Sequence, residues 1–134
     1  MSELQVLSEF KNGLISFFDE LIDQFPKEGD LIMIRIFLKD QIPIEQVMNT
    51  FNNSINKDNN KLRKMVKDRN ELFFLENNVF DESVSKNKIV HFKKLWRSGR
   101  LDDDDKEVVW KWLDSFIYLG DKYLKIKIGS TTIS

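Results

Sequence analysis

Residues 2–26 read SELQVLSEFKNGLISFFDELIDQFP, and this stretch decides the fold class. Leu7, Phe10, Leu14, Phe17, Leu21 and Phe25 recur at spacings of three and four, and Ile15, Phe18 and Ile22 widen the same stripe. That is the broad apolar face of an amphipathic helix. Ser2 is placed to cap its start and Pro26 to end it. Gly13 is tolerated inside it at a cost of about 1 kcal/mol relative to Ala. The seam also has the spacing of a coiled coil, but it runs for too few heptads, so packing inside a bundle is the expectation.

The same period continues outward from this helix. Lys27-Glu28-Gly29 makes a turn and Asp30 can cap the next element. The run Leu31 to Leu38 has the β-branched content of a buried strand. Its neighbours are helical and a lone strand has no partner, so the expectation is a buried helix. Pro43 suits a first helical position, and Ile44, Val47, Met48, Phe51 and Ile55 line one face after it. Asn52, Asn53, Asn56, Asn59 and Asn60 crowd the end of that helix and predict a solvated loop or frayed terminus. A fourth element runs from Lys61 to Glu76, with Asp68 and Glu71 spelling a capping box at which it restarts.

Residues 77–82 read as a loop whose Val79 and Phe80 plug the core. A fifth helix starts near Ser83 or Ser85, turns Ile89, Phe92, Leu95 and Trp96 inward, and stops at Gly99. The last helix opens at Asp102–Asp105, carries Val109, Trp112, Leu113, Phe116 and Ile117, and is expected to stop near Gly120 or a few residues later. Residues 125–134 alternate and then dissolve into small polar residues, a tail or at most a short edge strand.

At 134 residues the chain is long enough to bury its own core. A hydrophobic fraction of 41% with 32% charged residues is that of a folded domain, which excludes a disordered chain. The expectation is an all-α fold: a single compact bundle of five to seven helices over residues 1–124, with a short flexible C-terminal tail at 125–134. The first and last long helices should form its central pair, because their stripes are the widest. There is no Ala, while Ile, Lys, Asn and Phe abound. That bias fits an AT-rich coding genome and weakens any inference from Lys or Asn abundance alone. The lack of Cys excludes disulfides and thiolate metal sites and fits an intracellular setting. Glu3, Glu9 and Lys11 interrupt the N-terminus, so no signal peptide is read, and no membrane-spanning run is visible.

The formal net charge of −1 hides an asymmetry: residues 1–56 carry −5, residues 57–100 carry +6 and residues 101–134 carry −2. A basic middle between acidic ends means either a binding face or helices whose faces complement one another within the fold.

Residues suited to chemistry are scarce. Asp102-Asp103-Asp104-Asp105 lacks the alternate spacing and central Gly of a calcium loop. Four acids ahead of an apolar-periodic helix instead answer its free N–H groups and positive end. With Lys106 they also spell an enteropeptidase cleavage site. His91, the single histidine, has no second ligand or triad spelling beside it. Carboxylate pairs such as Asp19-Glu20, or Glu76 with Asp81, are not singled out by anything around them. No catalytic, metal-binding or cofactor-binding residue is assigned, and no small-molecule substrate is evident.

Surface features carry more weight. Lys86, Lys93, Lys94, Arg97 and Arg100 avoid the apolar side of the fifth helix and form a candidate ridge for phosphates or for an acidic partner. The overall pI of 5.9 and the lack of any helix-turn-helix or RNA-binding spelling stand against nucleic acid. Trp110 and Trp112 lie two positions apart and so point to different sides. With Tyr118 they make a candidate protein interface, Trp and Tyr being favoured anchors. The alternative is that bulky residues simply wrap two sides of an Ala-free helix.

Three stretches belong together: Phe17 to Pro26, His91 to Trp96, and Val109 to Phe116. An acidic-aromatic helix ending in Phe-Pro, with a late Trp-rich helix after it, resembles the small uncharacterised all-helical proteins of nucleocytoplasmic large DNA viruses. The resemblance implies an AT-rich viral origin and a location in host cytoplasm, virus factory or virion. It carries over no activity and no functional residue.

The functional expectation is a non-enzymatic protein-interaction or assembly module, a viral structural or accessory protein on that resemblance. A protein partner or self-association is expected: the −5 segment of one copy could meet the +6 segment of another. The alternative is a nucleic-acid-binding accessory protein that uses the basic segment 57–100.

Overall fold

A computed structural model describes the backbone of residues 2–76 and 93–133 and the side chains of 2–75 and 93–129. Every regular element among the described residues is helical, so the fold is all-α. The elements are α1 (Glu3–Gln24), α2 (Gly29–Ile36), a π turn (Phe37–Gln41), α3 (Ile44–Asn56), a 3-10 turn (Asp58–Asn60), α4 (Lys61–Asp68), α5 (Glu71–Glu76), α6 (helical at 93–97) and α7 (Asp103–Ile133). The expectations for Val79, Phe80, Ser83, Ser85, Lys86, Ile89, His91 and Phe92 lie outside the described residues.

Two compact units are distinguished, one made of Met1–Asn52 with Ser115–Ser134 and the other of Asn53–Asp114. In the first, α1 begins with a full capping box. The Ser2 hydroxyl accepts from the Gln5 amide at 3.1 Å, and the Gln5 side chain accepts from the Ser2 amide at 2.8 Å. The helix ends where the Phe25 amide donates to the Leu21 carbonyl at 2.8 Å, one residue before Pro26. Val6, Leu7, Phe10, Phe17, Leu21 and Phe25 are buried. Phe10 lies 5.7 Å from Phe116 and 5.6 Å from Phe51, ring centre to ring centre, and Phe17 lies 5.9 Å from Phe116. The first and last long helices therefore do meet, largely through edge-to-face aromatic pairs.

Three expectations need correction in this unit. The run after Gly29 is a helix, but most of it is not buried: Leu31 is the buried residue of α2, and Ile34 and Arg35 are half-buried. Asn52 does not sit in a solvated terminus: it is 3% exposed, and its Nδ2 donates to the Gly120 carbonyl at 3.3 Å. The last helix does not stop at Gly120 but continues to Ile133. Gly120 is there for space. A Cβ at that position would fall inside contact distance of Asn52 Oδ1 and 3.6 Å from the Phe51 ring. The glycine permits a close crossing of α3 and α7 rather than a left-handed cap.

The second unit is built differently. α4 ends on Arg69 in the left-handed region (φ 52), and the Asn70 amide donates to the Met65 carbonyl at 2.9 Å. That is the hydrogen-bond pattern of a glycine-type helix stop with an arginine in the special position. The chain does restart, but at Glu71 and not from Asp68, and the cap is Asn70, whose Oδ1 accepts from the Phe73 amide at 3.1 Å. Glu71 is thereby released to reach Trp96 and Lys106. Gly99 (φ +81) ends the stretch after α6. α7 opens as the acidic run predicts: Asp102 Oδ1 accepts from the Asp105 amide at 2.8 Å, and Asp105 Oδ2 accepts from the Asp102 amide at 3.2 Å. Phe74, Trp96 and Trp110 form the aromatic part of a core that also buries Ile55, Met65, Val66, Leu95, Leu101 and Val109, with Trp96 5.2 Å from Phe74 and 5.5 Å from Trp110 between ring centres.

Candidate functional site

Trp110 is not a surface anchor. It is 5% exposed and stacks edge-on to Trp96, so on α7 it is Trp110 rather than Trp112 that enters this core. The spacing puts Trp112 on the inward stripe and Trp110 on another side, and the structure reverses that choice because Trp96 lies against Trp110. Trp112 is half-buried. Tyr118 is 57% exposed, with the Lys122 ammonium 5.1 Å above its ring. The candidate interface is thus reduced to Tyr118 and part of Trp112, which fall in different units.

The basic ridge is likewise divided. Lys86 lies outside the described residues. Lys94 and Arg97 are exposed on α6, while Arg100 comes after the helix in the bend beyond Gly99. Lys93 leans inward with its ammonium 5.9 Å from the centre of the Phe74 ring. Burial and the neighbouring Arg97 charge both lower its pKa. Arg97 donates to the Leu75 carbonyl at 3.5 Å. Among the described residues these cations do not line up as one continuous helical row.

Other members of the basic segment hold the fold. Arg69 grips Asp114 with two hydrogen bonds, at 3.1 and 2.8 Å, and Glu107 with a third at 3.1 Å. It also donates to the Val66 carbonyl at 2.7 Å. The two carboxylates hold its pKa above the ordinary arginine value. Glu71 accepts from the Trp96 indole N–H and, at 2.7 Å, from Lys106. The Lys106 ammonium, with the indole donor, holds the Glu71 carboxyl below its usual range against the effect of burial. Here the segregated charge is realised as helices that complement one another. The four lysines Lys57, Lys61, Lys64 and Lys67 remain exposed along and just before α4.

At the far end of the first unit, Tyr123 is almost fully buried and its hydroxyl donates to Glu45 at 3.3 Å. Burial raises its pKa, partly offset by the nearby Lys127 charge. Lys127 bridges Glu3 at 2.8 Å and Glu45 at 3.7 Å. Among the described residues, no group of three His, Cys, Asp or Glu is placed to hold a metal ion, and no helix is long and apolar enough to cross a membrane.

The surface feature that sequence reasoning missed is the outward side of α2. Ile32 is 40% exposed, Met33 59%, Ile36 46% and Phe37 52%. The signal is present in the run 31–38, which carries more apolar residues than one helix face can hold. A helix apolar all round is normally covered, and that rule is what predicts burial here. No protein-family model, curated protein or solved structure matches the chain.

Proposed function

We propose that this chain is a non-enzymatic protein-interaction or assembly module, of the structural or accessory kind that its resemblance to viral helical proteins implies. The observation that carries the reading is the apolar outward face of α2 and its π turn, where four large side chains are left in solvent. Scattered exposed apolar residues are ordinary, but a contiguous group on a rigid element marks a contact surface. The ionisable residues with the best-formed contacts, Arg69, Glu71, Lys106, Glu107 and Asp114, brace helices against one another. Their arrangement suits a scaffold more than acid–base chemistry. The test is a peptide-display selection on the full chain, counter-selected on Phe37→Asp. Enrichment of apolar peptides that the variant does not retain is the expected result, and identical pools from both proteins would sink the reading.

One observation favours a second reading. Lys57, Lys61, Lys64 and Lys67 are exposed at spacings of about one turn in sequence, which suits phosphate contacts of a nucleic-acid accessory protein. Anisotropy with generic DNA and RNA over a salt series separates the two. Tight binding with a steep salt slope, lost on reversing Lys61, Lys64 and Lys67 to Glu, would put this reading first.

A further inference from the structure

We infer that the outward face of α2 is a docking surface for a basic amphipathic helix of a partner protein. The inference rests on the interaction reading above and names the partner's chemistry. At 100° per residue, Ile32, Met33, Ile36 and Phe37 fall on one side of the helix. The opposite side carries Leu31, which is buried, and Arg35, which pairs with Asp19 of α1 at 2.5 Å. α2 therefore leans on α1 with one side and presents the other outward. The exposed four repeat as two adjacent pairs one turn apart, a strip of the width that a single helix covers by helix-on-helix packing. Met33 adds a flexible thioether that adapts to the shape of a partner. Phe37 opens the π turn, a local widening that often accompanies binding sites.

Charge selects the occupant. Residues 19–40 hold six acids (Asp19, Glu20, Asp23, Glu28, Asp30 and Asp40) against Lys27, Arg35 and Lys39. The segment is acidic on balance: apart from the Asp19–Arg35 pair on the opposite side, Asp30 borders the strip on α2 and Asp40 follows Phe37 in the π turn, against Lys39. A phospholipid surface attracts amphipathic helices with basic flanks, and an acidic flank is repelled by anionic headgroups. Nucleic acid is disfavoured for the same reason. A second copy meeting the strip with its own α2 brings like charge to like charge at the rim, which is unfavourable. A partner helix with an apolar stripe bordered by Lys or Arg satisfies both features of the surface.

The test uses the full chain and two synthetic helical peptides of about 18 residues, roughly five turns. Both carry the same Leu stripe, one bordered by Lys and the other by Glu. Fluorescence anisotropy at low salt should give saturable, micromolar binding of the Lys peptide, with the Glu peptide about tenfold weaker or worse. Met33→Glu combined with Phe37→Glu should weaken the Lys peptide by about tenfold, with unchanged far-UV circular dichroism. Phe37→Ser serves as the milder variant if the double substitution does not fold. Equal affinity for the two peptides, binding indifferent to both variants, or no saturable binding overturns the inference. So does sedimentation in which wild-type chains self-associate and these variants do not, because a second copy then occupies the face. If the display selection enriches acidic or uncharged peptides, the interaction reading stands and this inference falls.

Discussion

The two units solve the same problem, burying one side of their helices without any alanine, with a different emphasis. In the first, rings do the work: Phe10, Phe17, Phe51 and Phe116 pack at steep angles to one another. Asn52, a buried polar side chain of this unit, has no hydrogen-bond partner for its Oδ1 among the described residues. In the second, a small aromatic core is surrounded by charged side chains that reach far along the chain, Arg69 to Asp114 and Glu71 to Lys106. The difference teaches where each unit is vulnerable. The first, which also has the ion pairs Arg35–Asp19 and Lys127–Glu3, should respond most to lost volume in its ring cluster, and the second most to lost charge around Trp96 and Arg69, softening more as ionic strength rises.

The largest effect should come from Phe116→Ala. Its ring is buried against three others, and truncation should cost about 3–5 kcal/mol in urea unfolding, nearly the same at low and high salt. A loss below about 1 kcal/mol would mean that the ring cluster is not the core of that unit. Gly120→Ala comes next. The new methyl group collides with Asn52, for a cost of order 1–3 kcal/mol from overpacking, partly offset by about 1 kcal/mol of helix propensity. Asn52→Ala in the same chain removes both the collision and an unsatisfied oxygen, so the pair should be more stable than Gly120→Ala alone. Strict additivity in that double-mutant cycle would contradict the close crossing.

Arg69→Ala should break the second unit by a smaller amount, about 1–2 kcal/mol, because the guanidinium and its acids are partly exposed and solvent-screened. The loss should shrink at high salt. Arg69→Gly sharpens the point, since glycine loses the same ion pairs but relieves a left-handed arginine, a conformation that costs about 1 kcal/mol. Glycine should therefore be the milder substitution. If alanine and glycine are equally damaging, the left-handed backbone at 69 carries no strain.

Legibility in the sequence divides along the same line. Periodicity places α1 with its cap and stop, and the acidic run that opens α7, because those signals lie within a few residues of one another. Helix spacing puts Trp112 on the inward stripe and Trp110 on another side, and it cannot show that a distant tryptophan, Trp96, packs against Trp110. Nor does it say that Gly120 and Asn52, 68 residues apart, need each other's space. The capping box at Asp68 and Glu71 has the right spelling, but α4 runs to Asp68 and stops on left-handed Arg69, so Asn70 takes the cap and Glu71 is left to reach Trp96 and Lys106. The open face of α2 is hidden by a sound rule. A helix apolar all round is covered, but its cover need not come from its own chain.

The smallest predicted effect is a pH dependence that should differ between the units. Glu71 has a folded pKa below its ordinary value of 4.5, so the unfolded chain binds its proton more readily. Its contribution is fully present above that value and is lost as pH falls through the lower folded pKa. Tyr123 has a folded pKa raised above 10.0 by burial. Its contribution is present below that value and is lost as pH rises through the folded pKa. Acid should therefore loosen the second unit at Glu71 and alkali the first at Tyr123. The Trp96 indole proton, hydrogen-bonded to Glu71, reports the acid limb in NMR spectra, and Tyr123 absorbance reports the alkaline one. Glu71→Gln should flatten the acid limb and leave the alkaline limb in place, and Tyr123→Phe should do the reverse. If Glu71→Gln shifted both limbs equally, the two units would not respond to charge in the separate ways that their cores imply.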